Sequence, residues 1–426
     1  MRSLYLRPPV AGRRARIRVP GDKSISHRAF LFAALASGRT HIIGPNHGLD
    51  VLATVRALRA LGVNVRRMQL GFSVIGSGFC DPRRVIDCGN SGTTMRLLAG
   101  ALAGRVDAQL DGDASLRRRP MSRVTTPLAL MGARMESRAG YPPLRIFRGR
   151  DPLRPIRYKI PVASAQVATA LLIAAIGARG PSTFVQTATT RDHTQRLLLA
   201  MGAKLRCSGR TLRIWPSQLR PVTKLRVPGD VSAAVYLLCA AAALPGTQLV
   251  VRDVGVNPTR TAALEVLRRM GAPVRLVRRR MWTNEPVADL QITGGAALRN
   301  VAVPGRLVPN LIDEIPALCA LATIARGTLC VRQAAELRVK ESDRIETTVR
   351  LLRAFGADAR ALDDGIVVHG GNKLRAPRSV RTSGDHRIGF AAAILAAASH
   401  SCITIRDSEC MATSFPGFVR IWREAF

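Results

Sequence analysis

Ile17-Arg18-Val19-Pro20-Gly21-Asp22-Lys23-Ser24 recurs as Leu225-Arg226-Val227-Pro228-Gly229-Asp230-Val231-Ser232. A shorter signal subdivides the chain. A helix-like run closing on a large apolar residue, then Gly, then Ala or Val, stands at Leu61-Gly62-Val63, Met131-Gly132-Ala133, Met201-Gly202-Ala203, Met270-Gly271-Ala272 and Phe355-Gly356-Ala357. These glycines recur roughly every 70 residues, with one longer step before Gly356. Each sits where a helix C-cap belongs, and a strand-like run follows, as in Val63–Val65 and Pro273–Leu276. The two octapeptides lie three such modules apart. The pattern predicts six copies of an α/β module in two domains of three, with the octapeptides as the two interdomain crossings. Domain I is expected to comprise 1–18 plus 228–426 and domain II 19–227, with a ligand cleft between them. The sixth module reaches Ser414-Phe415-Pro416-Gly417-Phe418, where a helix is expected to begin, and the chain stops at Phe426.

With 426 residues the chain has room for two domains, and 47% hydrophobic with 22% charged residues is a globular balance. The apolar runs Ala165–Ala178, Ala233–Leu244 and Ile388–Ala398 fall short of the roughly 18 residues a membrane helix needs. They suit buried helices packed closely on a sheet. The eight cysteines form no C-x-x-C pair and no Cys/His cluster. That argues against a metal site or redox dithiol and for a reducing compartment, the cytoplasm. The Arg-rich start leaves too little chain before Val19 for a transit peptide. Leu4, Leu6 and the Ile17/Val19 alternation are expected to open in strands.

A net charge of +37 admits nucleic acid, a membrane surface or small anions as partners. Only six of the 65 basic residues are lysine: Lys23, Lys159, Lys204, Lys224, Lys340 and Lys373. Arginine so dispersed fits a codon bias along the whole chain, whereas a nucleic-acid arm would form a block. Aromatics at 4% leave few platforms for stacking bases. No specific nucleic-acid partner is expected, and a basic nucleic-acid-binding protein stands as the alternative of another class. The scarcity of lysine singles out Lys23 and Lys340, small tunable ammonium groups where arginine was the easy choice.

Leu337-Arg338-Val339-Lys340-Glu341-Ser342-Asp343-Arg344 packs three cations and two carboxylates into eight residues. Ile345, Val349, Leu352 and Phe355 follow at helical spacing, and Asp343 with Glu346 suits a capping pair. Lys340 and Glu341 are therefore expected in the loop before a helix, with Arg344 in its first turn. Helix N–H groups there favour an anion, and Glu341 adds an acid or base. A solvated charge run is the other reading of the same residues.

Other helix starts carry similar equipment. Gly21–Arg28 offers Lys23 and Arg28 to an anion, with Ser24 as cap and His27 more readily structural than basic. Asp87-Cys88-Gly89-Asn90-Ser91-Gly92-Thr93-Thr94-Met95-Arg96 is a donor-rich turn whose glycines allow close approach of a ligand, opening the helix Met95–Ala103. Arg117, Arg118 and Arg119 precede Pro120, which leaves Arg119 extended. Ser164 and Gln166 sit at another helix start, and Asp192 with His193 suits capping better than a dyad. Asp313 and Glu314 lie in an apolar strand-to-helix junction, where burial lifts a carboxyl toward a useful basicity, or where Asp313 simply caps.

Together these motifs resemble 5-enolpyruvylshikimate-3-phosphate synthases. The likeness runs in order from Val19 to Phe418 and includes Gly21–Arg28, Gly89–Thr93, Arg119-Pro120-Met121, Ala163–Gln166, Arg191–Thr194, Asn257–Thr261, Ile312-Asp313-Glu314, Arg338–Arg344, Asp385-His386-Arg387 and Ala412–Pro416. The resemblance implies an inside-out α/β barrel fold, each of two domains built from three β-α-β-α-β-β modules, and with a C-terminus shorter than the family's the sixth module is expected to lack its last strand. It implies transfer of enolpyruvyl from phosphoenolpyruvate to the 5-hydroxyl of shikimate 3-phosphate, with release of phosphate, by a monomer without cofactor or metal. Lys23, Ser24, Arg28, Ser164, Gln166, Arg191, Asp313 and Lys340 would hold shikimate 3-phosphate. Lys23, Asn90, Gly92, Arg119, Gln166, Arg344 and Arg387 would hold phosphoenolpyruvate. Asp313 would take the hydroxyl proton, kept ionised by its cationic wall, and Glu341, made more basic by burial, with Lys23 near, would protonate the methylene carbon. Gly92 would leave room for glyphosate, which mimics part of bound phosphoenolpyruvate.

The second crossing reads Gly229-Asp230-Val231-Ser232-Ala233-Ala234, where the family usually has Pro and a second Ser, and Ala165 and Thr413 replace a Ser and a Lys that some members use. A sister transferase acting on UDP-N-acetylglucosamine is the nearest alternative. It would need a reactive cysteine near Arg117–Pro120, and none is there.

Overall fold

The strand Arg14–Arg18 precedes the helix Lys23–Leu35 in sequence, yet it pairs in parallel with Gln248–Gly255, far along the chain. Lys224–Arg226 does the converse. It precedes Val231–Ala243 but pairs in parallel with Gly38–Ile43. Each crossing strand thus completes a sheet on the side that the chain is leaving. The computed structural model describes residues 3–426, and these fall into two compact units. Unit I takes the described residues up to Pro20, Pro228–Met281 and Pro286–Phe426; unit II takes Gly21–Val227 and Trp282–Glu285.

Unit II holds Lys23–Leu35 (α1), Leu49–Ala60 (α2), Gly92–Leu102 (α3), Ser122–Leu130 (α4), Ala165–Ala175 (α5) and His193–Ala200 (α6). Unit I holds Val231–Ala243 (α7), Ala262–Arg269 (α8), Ile315–Ala322 (α9), Arg344–Ala354 (α10), His386–Ala398 (α11) and Phe418–Ala425 (α12). In unit II, α3 packs on α1 and α5; in unit I, α7, α9 and α11 pack pairwise. These helices are apolar nearly all round, so they belong inside. The alanine-rich runs expected against a sheet therefore pack chiefly on other helices. At Gly100 a methyl group would lie 2.2 Å from the Ala170 carbonyl oxygen, so only hydrogen fits where α3 meets α5.

Sheets lie outside the helices within each unit. The second module is representative: Ile86–Asp87 runs parallel to Ala108–Asp111, and the hairpin Met135–Arg138/Tyr141–Ile146 adds antiparallel to it. Gly62, Gly132, Gly202, Gly271 and Gly356 all have positive φ directly after α2, α4, α6, α8 and α10. They are the left-handed C-caps that turn each helix into its hairpin. The last module differs. Ser379–Arg381 runs parallel to Ile403–Arg406, and the N-terminal Leu4–Leu6 takes the antiparallel place beside it. Among the described residues this module lacks both hairpin strands of its own, one more than expected.

Arginines crowd the outer strands; on Arg275–Trp282, Arg275, Arg278 and Arg279 are exposed. A charge of +37 repels itself across such a surface. The melting temperature is expected to rise by several degrees between about 10 and 200 mM KCl, as screening shortens the reach of that repulsion. Calorimetry giving equal values at both salt concentrations would contradict this.

Candidate active site

In unit II the helix α1 starts at Lys23 because Asp22 caps it, accepting from the Ile25 N–H at 2.8 Å. Ser24, expected as the cap, lies inside the first turn instead. Lys23 Nζ pairs with the carboxylate of Asp50 in the first turn of α2. Arg28 is buried, and its guanidinium donates from Nε to Thr194 Oγ1 (2.7 Å) and from Nη2 to Thr169 Oγ1 (2.8 Å). It ties α1 to α6 and α5. His27 Nδ1 meets Thr54 Oγ1 at 2.7 Å. Burial, then the Lys23 and Arg28 charges, hold its imidazole well below the ordinary histidine pKa.

The donor-rich turn opens α3 earlier than expected, at Gly92, with Ser91 Oγ accepting from the Thr94 N–H at 3.1 Å. Thr94 Oγ1 also donates to the Asp50 carbonyl (3.2 Å), joining this turn to the partner of Lys23. Arg96, one turn after Gly92, donates to Gln166 Oε1 at 2.8 Å, and Gln166 Nε2 donates to Thr93 Oγ1 at 2.8 Å. Arg119 has extended backbone, and its Nη2 donates to Asn90 Oδ1 at 3.0 Å. A methyl group on Gly92 would stand 3.0 Å from Arg96 Nη1 and 3.4 Å from Arg119 Nη1. Two guanidiniums therefore converge on a helix start whose N–H groups already favour an anion. Ser164 caps α5, and half-buried Arg191 precedes α6. Asp192 was expected to cap α6; its side chain makes no cap bond and pairs with Arg196 one turn on, at 2.9 Å. His193 meets Glu285 Oε1 at 2.8 Å. Arg117 pairs with Asp111 at the surface.

In unit I the opening of α10 is the centre. Asp343 caps the helix, accepting from Ile345 and Glu346 N–H, and Arg344 is its first residue. Glu346 does not close a capping box with it; it lies 3.5 Å from Arg338 instead. Arg344 is buried and binds three carboxylates: Asp385 from Nε (2.7 Å), Asp313 from Nη1 (3.1 Å) and Glu341 from Nη2 (2.6 Å). Burial opposes its charge, but Asp385, Glu341 and Asp313 outweigh that and hold its pKa well above the ordinary value. Burial also opposes Arg387, where Asp313 leads the groups that raise its pKa. Burial lowers Lys340, against the nearby Glu336, Asp313 and Glu341. Arg344, Arg387 and Lys340 thus face Asp313, Glu341, Asp385 and Glu336. Asp313 and Glu341 were expected in opposite protonation states, Asp313 held ionised by its cationic wall and Glu341 made more basic by burial; their side chains are 19% and 12% exposed and share one guanidinium. The N-cap position of α9 falls to Glu314, not Asp313.

Arg96, Asp50 and Tyr236 were not singled out from sequence. Arg96 stands four residues after Gly92, a spacing that puts it over the same helix start. Tyr236 follows Gly229 as Arg28 follows Gly21, so the octapeptide repeat points to it. Its hydroxyl donates to the Asp313 carbonyl at 3.1 Å, and Arg387 lies over its ring.

The family model of EPSP synthase (3-phosphoshikimate 1-carboxyvinyltransferase) matches residues 10–422. A 3-phosphoshikimate 1-carboxyvinyltransferase of Desulforudis audaxviator is 45% identical over 417 residues, covering 96% of each chain. One from Halorhodospira halophila is 47% identical over 412 residues, covering 95% of this chain and 92% of its own. The solved EPSP synthase of Acinetobacter baumannii superposes with a TM-score of 0.88 at 37% identity, covering 99% of this chain and 98% of its own. The enolpyruvyl transferase NikO of Streptomyces tendae shares the fold at a TM-score of 0.77 with 18% identity, covering 99% and 96%.

Asp343→Ala removes the cap of α10 and the ion pair with Arg338 (2.6 Å). It is expected to lower stability by roughly 1–2 kcal/mol in urea unfolding. An unchanged midpoint would show that α10 holds Arg344 without its cap.

Proposed function

This chain belongs to the EPSP synthase family, and we propose on that premise that Asp313, Glu341 and Lys23 carry its chemistry. It is an enolpyruvyl transferase: the enolpyruvyl group of phosphoenolpyruvate passes to shikimate 3-phosphate and phosphate leaves. The relatives' shared activity favours this over the UDP-N-acetylglucosamine alternative.

In our reading Asp313 accepts the proton of the 5-hydroxyl as that oxygen adds to C2 of phosphoenolpyruvate. Glu341 gives a proton to C3, with Lys23 assisting, producing a tetrahedral intermediate. Collapse returns the C3 proton, breaks the C2–O bond to phosphate and leaves the enol ether. Lys23, Ser24, Arg28, Ser164, Gln166, Arg191, Asp313 and Lys340 are proposed to bind shikimate 3-phosphate. Lys23, Asn90, Gly92, Arg119, Gln166, Arg344 and Arg387 are proposed to bind phosphoenolpyruvate. The observation that carries the assignment is the single Arg344 guanidinium bound by Asp313 and Glu341. One planar fork presets the separation of the two groups that exchange protons with substrate. The further cations, Lys340 and Arg387, suit substrates that each bear a phosphate and a carboxylate.

A cytoplasmic monomer is the fuller reading. The eight cysteines are free thiols, and like charge across the surface opposes self-association. No specific nucleic-acid partner is proposed, and no helix among the described residues is long and apolar enough to cross a membrane.

Phosphate release with both substrates tests the base. Asp313→Asn is expected to lose at least ~100-fold in kcat with unchanged circular dichroism, and near-normal turnover would exclude Asp313 as base. Gly92→Ala pushes a methyl group toward Arg96 and Arg119. It is expected to raise KM for phosphoenolpyruvate and weaken inhibition by glyphosate, while KM for shikimate 3-phosphate stays near the parent value. Equal losses for both substrates would place Gly92 elsewhere in the cycle.

A further inference from the structure

Asn257–Thr261 and Glu314 have no part in the chemistry above, yet the structure brings them together behind Asp313. Glu314 is fully buried, and its Oε1 accepts a hydrogen bond from Ser232 Oγ in the first turn of α7. Arg260 is also buried; it donates from Nη2 to the same Ser232 Oγ (2.6 Å) and brings Nη1 within 3.6 Å of Glu314. Asp230, the cap of α7, lies 3.5 Å from Arg260. Asn257 shapes the loop that delivers this arginine, accepting from Thr259 N–H at 2.9 Å and from its hydroxyl at 2.8 Å.

One turn after Ser232, Tyr236 donates its hydroxyl to the main-chain carbonyl of Asp313 at 3.1 Å. Residues four apart share a helix face. That face of α7 therefore grips two successive residues: Glu314 by its side chain, through Ser232, and Asp313 by its main chain, through Tyr236. A buried ion cluster is weak as a stabiliser compared with packed hydrocarbon. Its hydrogen bonds are directional, however, and a general base needs a fixed direction more than it needs burial.

We propose that Glu314 and Arg260 are positioning residues for Asp313: with Ser232 and Tyr236 they fix the main chain at 313–314, so that the Asp313 carboxylate meets Arg344 and the substrate hydroxyl at one set angle. The proposal rests on Asp313 being the base. Two carboxylates face one guanidinium in this cluster, so Glu314→Gln leaves Arg260 balanced by Asp230 and keeps an oxygen for Ser232.

The test is steady-state phosphate release by the full chain with Glu314→Gln, Tyr236→Phe, the double variant and Asp313→Asn measured side by side. Glu314→Gln and Tyr236→Phe are each expected to lower kcat by about tenfold and leave both KM values within about threefold, because they disturb the transition state and not the binding contacts. The double variant should lose less than the product of the two single losses, since both act on one peptide unit. If kcat of Glu314→Gln stays within about twofold of the parent while Asp313→Asn is inactive, the positioning role is overturned and the base stands. A rise in KM at unchanged kcat overturns it also, by assigning Glu314 to binding. An active Asp313→Asn overturns the base itself. Should Glu314→Gln fail to fold by circular dichroism, Tyr236→Phe decides alone, because it removes one hydroxyl and no charge.

Discussion

Arg344 is the constraint on which unit I depends. A guanidinium excluded from water, with Asp313, Glu341 and Asp385 on its three nitrogens, has almost no freedom to turn. Its position comes from the start of α10, which Asp343 fixes. Asp385 in turn caps α11, accepting from the Arg387 N–H, so the same carboxylate aligns two helix starts and two arginines. Charge of this density would be hard to hold in an apolar core; near balance with Lys340 and Arg387 makes it tolerable.

Unit II solves a related problem with fewer charges. Lys23 is set against Asp50, and a ladder of hydroxyls from Thr54 through Thr94 to Ser91 links α1, α2 and the Gly92 turn. Gly92 matters here for what it lacks: the space of one methyl group is where Arg96 and Arg119 converge. Arg28 illustrates the other use of arginine in this chain, binding helix to helix through Thr169 and Thr194.

Much of the architecture was legible because it repeats. Five glycines at near-constant spacing predicted five left-handed helix ends, and each has positive φ. The placing of Arg344 at the head of α10 followed from apolar spacing and a capping aspartate, both local signals. What the sequence hid was long-range. Arg96 finds Gln166 on another helix, and Tyr236 finds the Asp313 carbonyl in the turn before α9, while Asp192 turns from its cap to Arg196. The last module misled because its missing strand place is filled by Leu4–Leu6, from the opposite end of the chain. Local pattern cannot show which distant segment will occupy a sheet edge.

In the proposed mechanism the planar fork of Arg344, and not merely its charge, sets Asp313 and Glu341 for proton transfer. Turnover of Arg344→Lys, measured as phosphate release at saturating concentrations of both substrates, tests it most directly. An ammonium keeps the charge but cannot span three carboxylates at fixed angles, so kcat is predicted to fall by about 100-fold or more while the fold persists. A folded lysine variant with near-parental kcat would show instead that charge alone suffices.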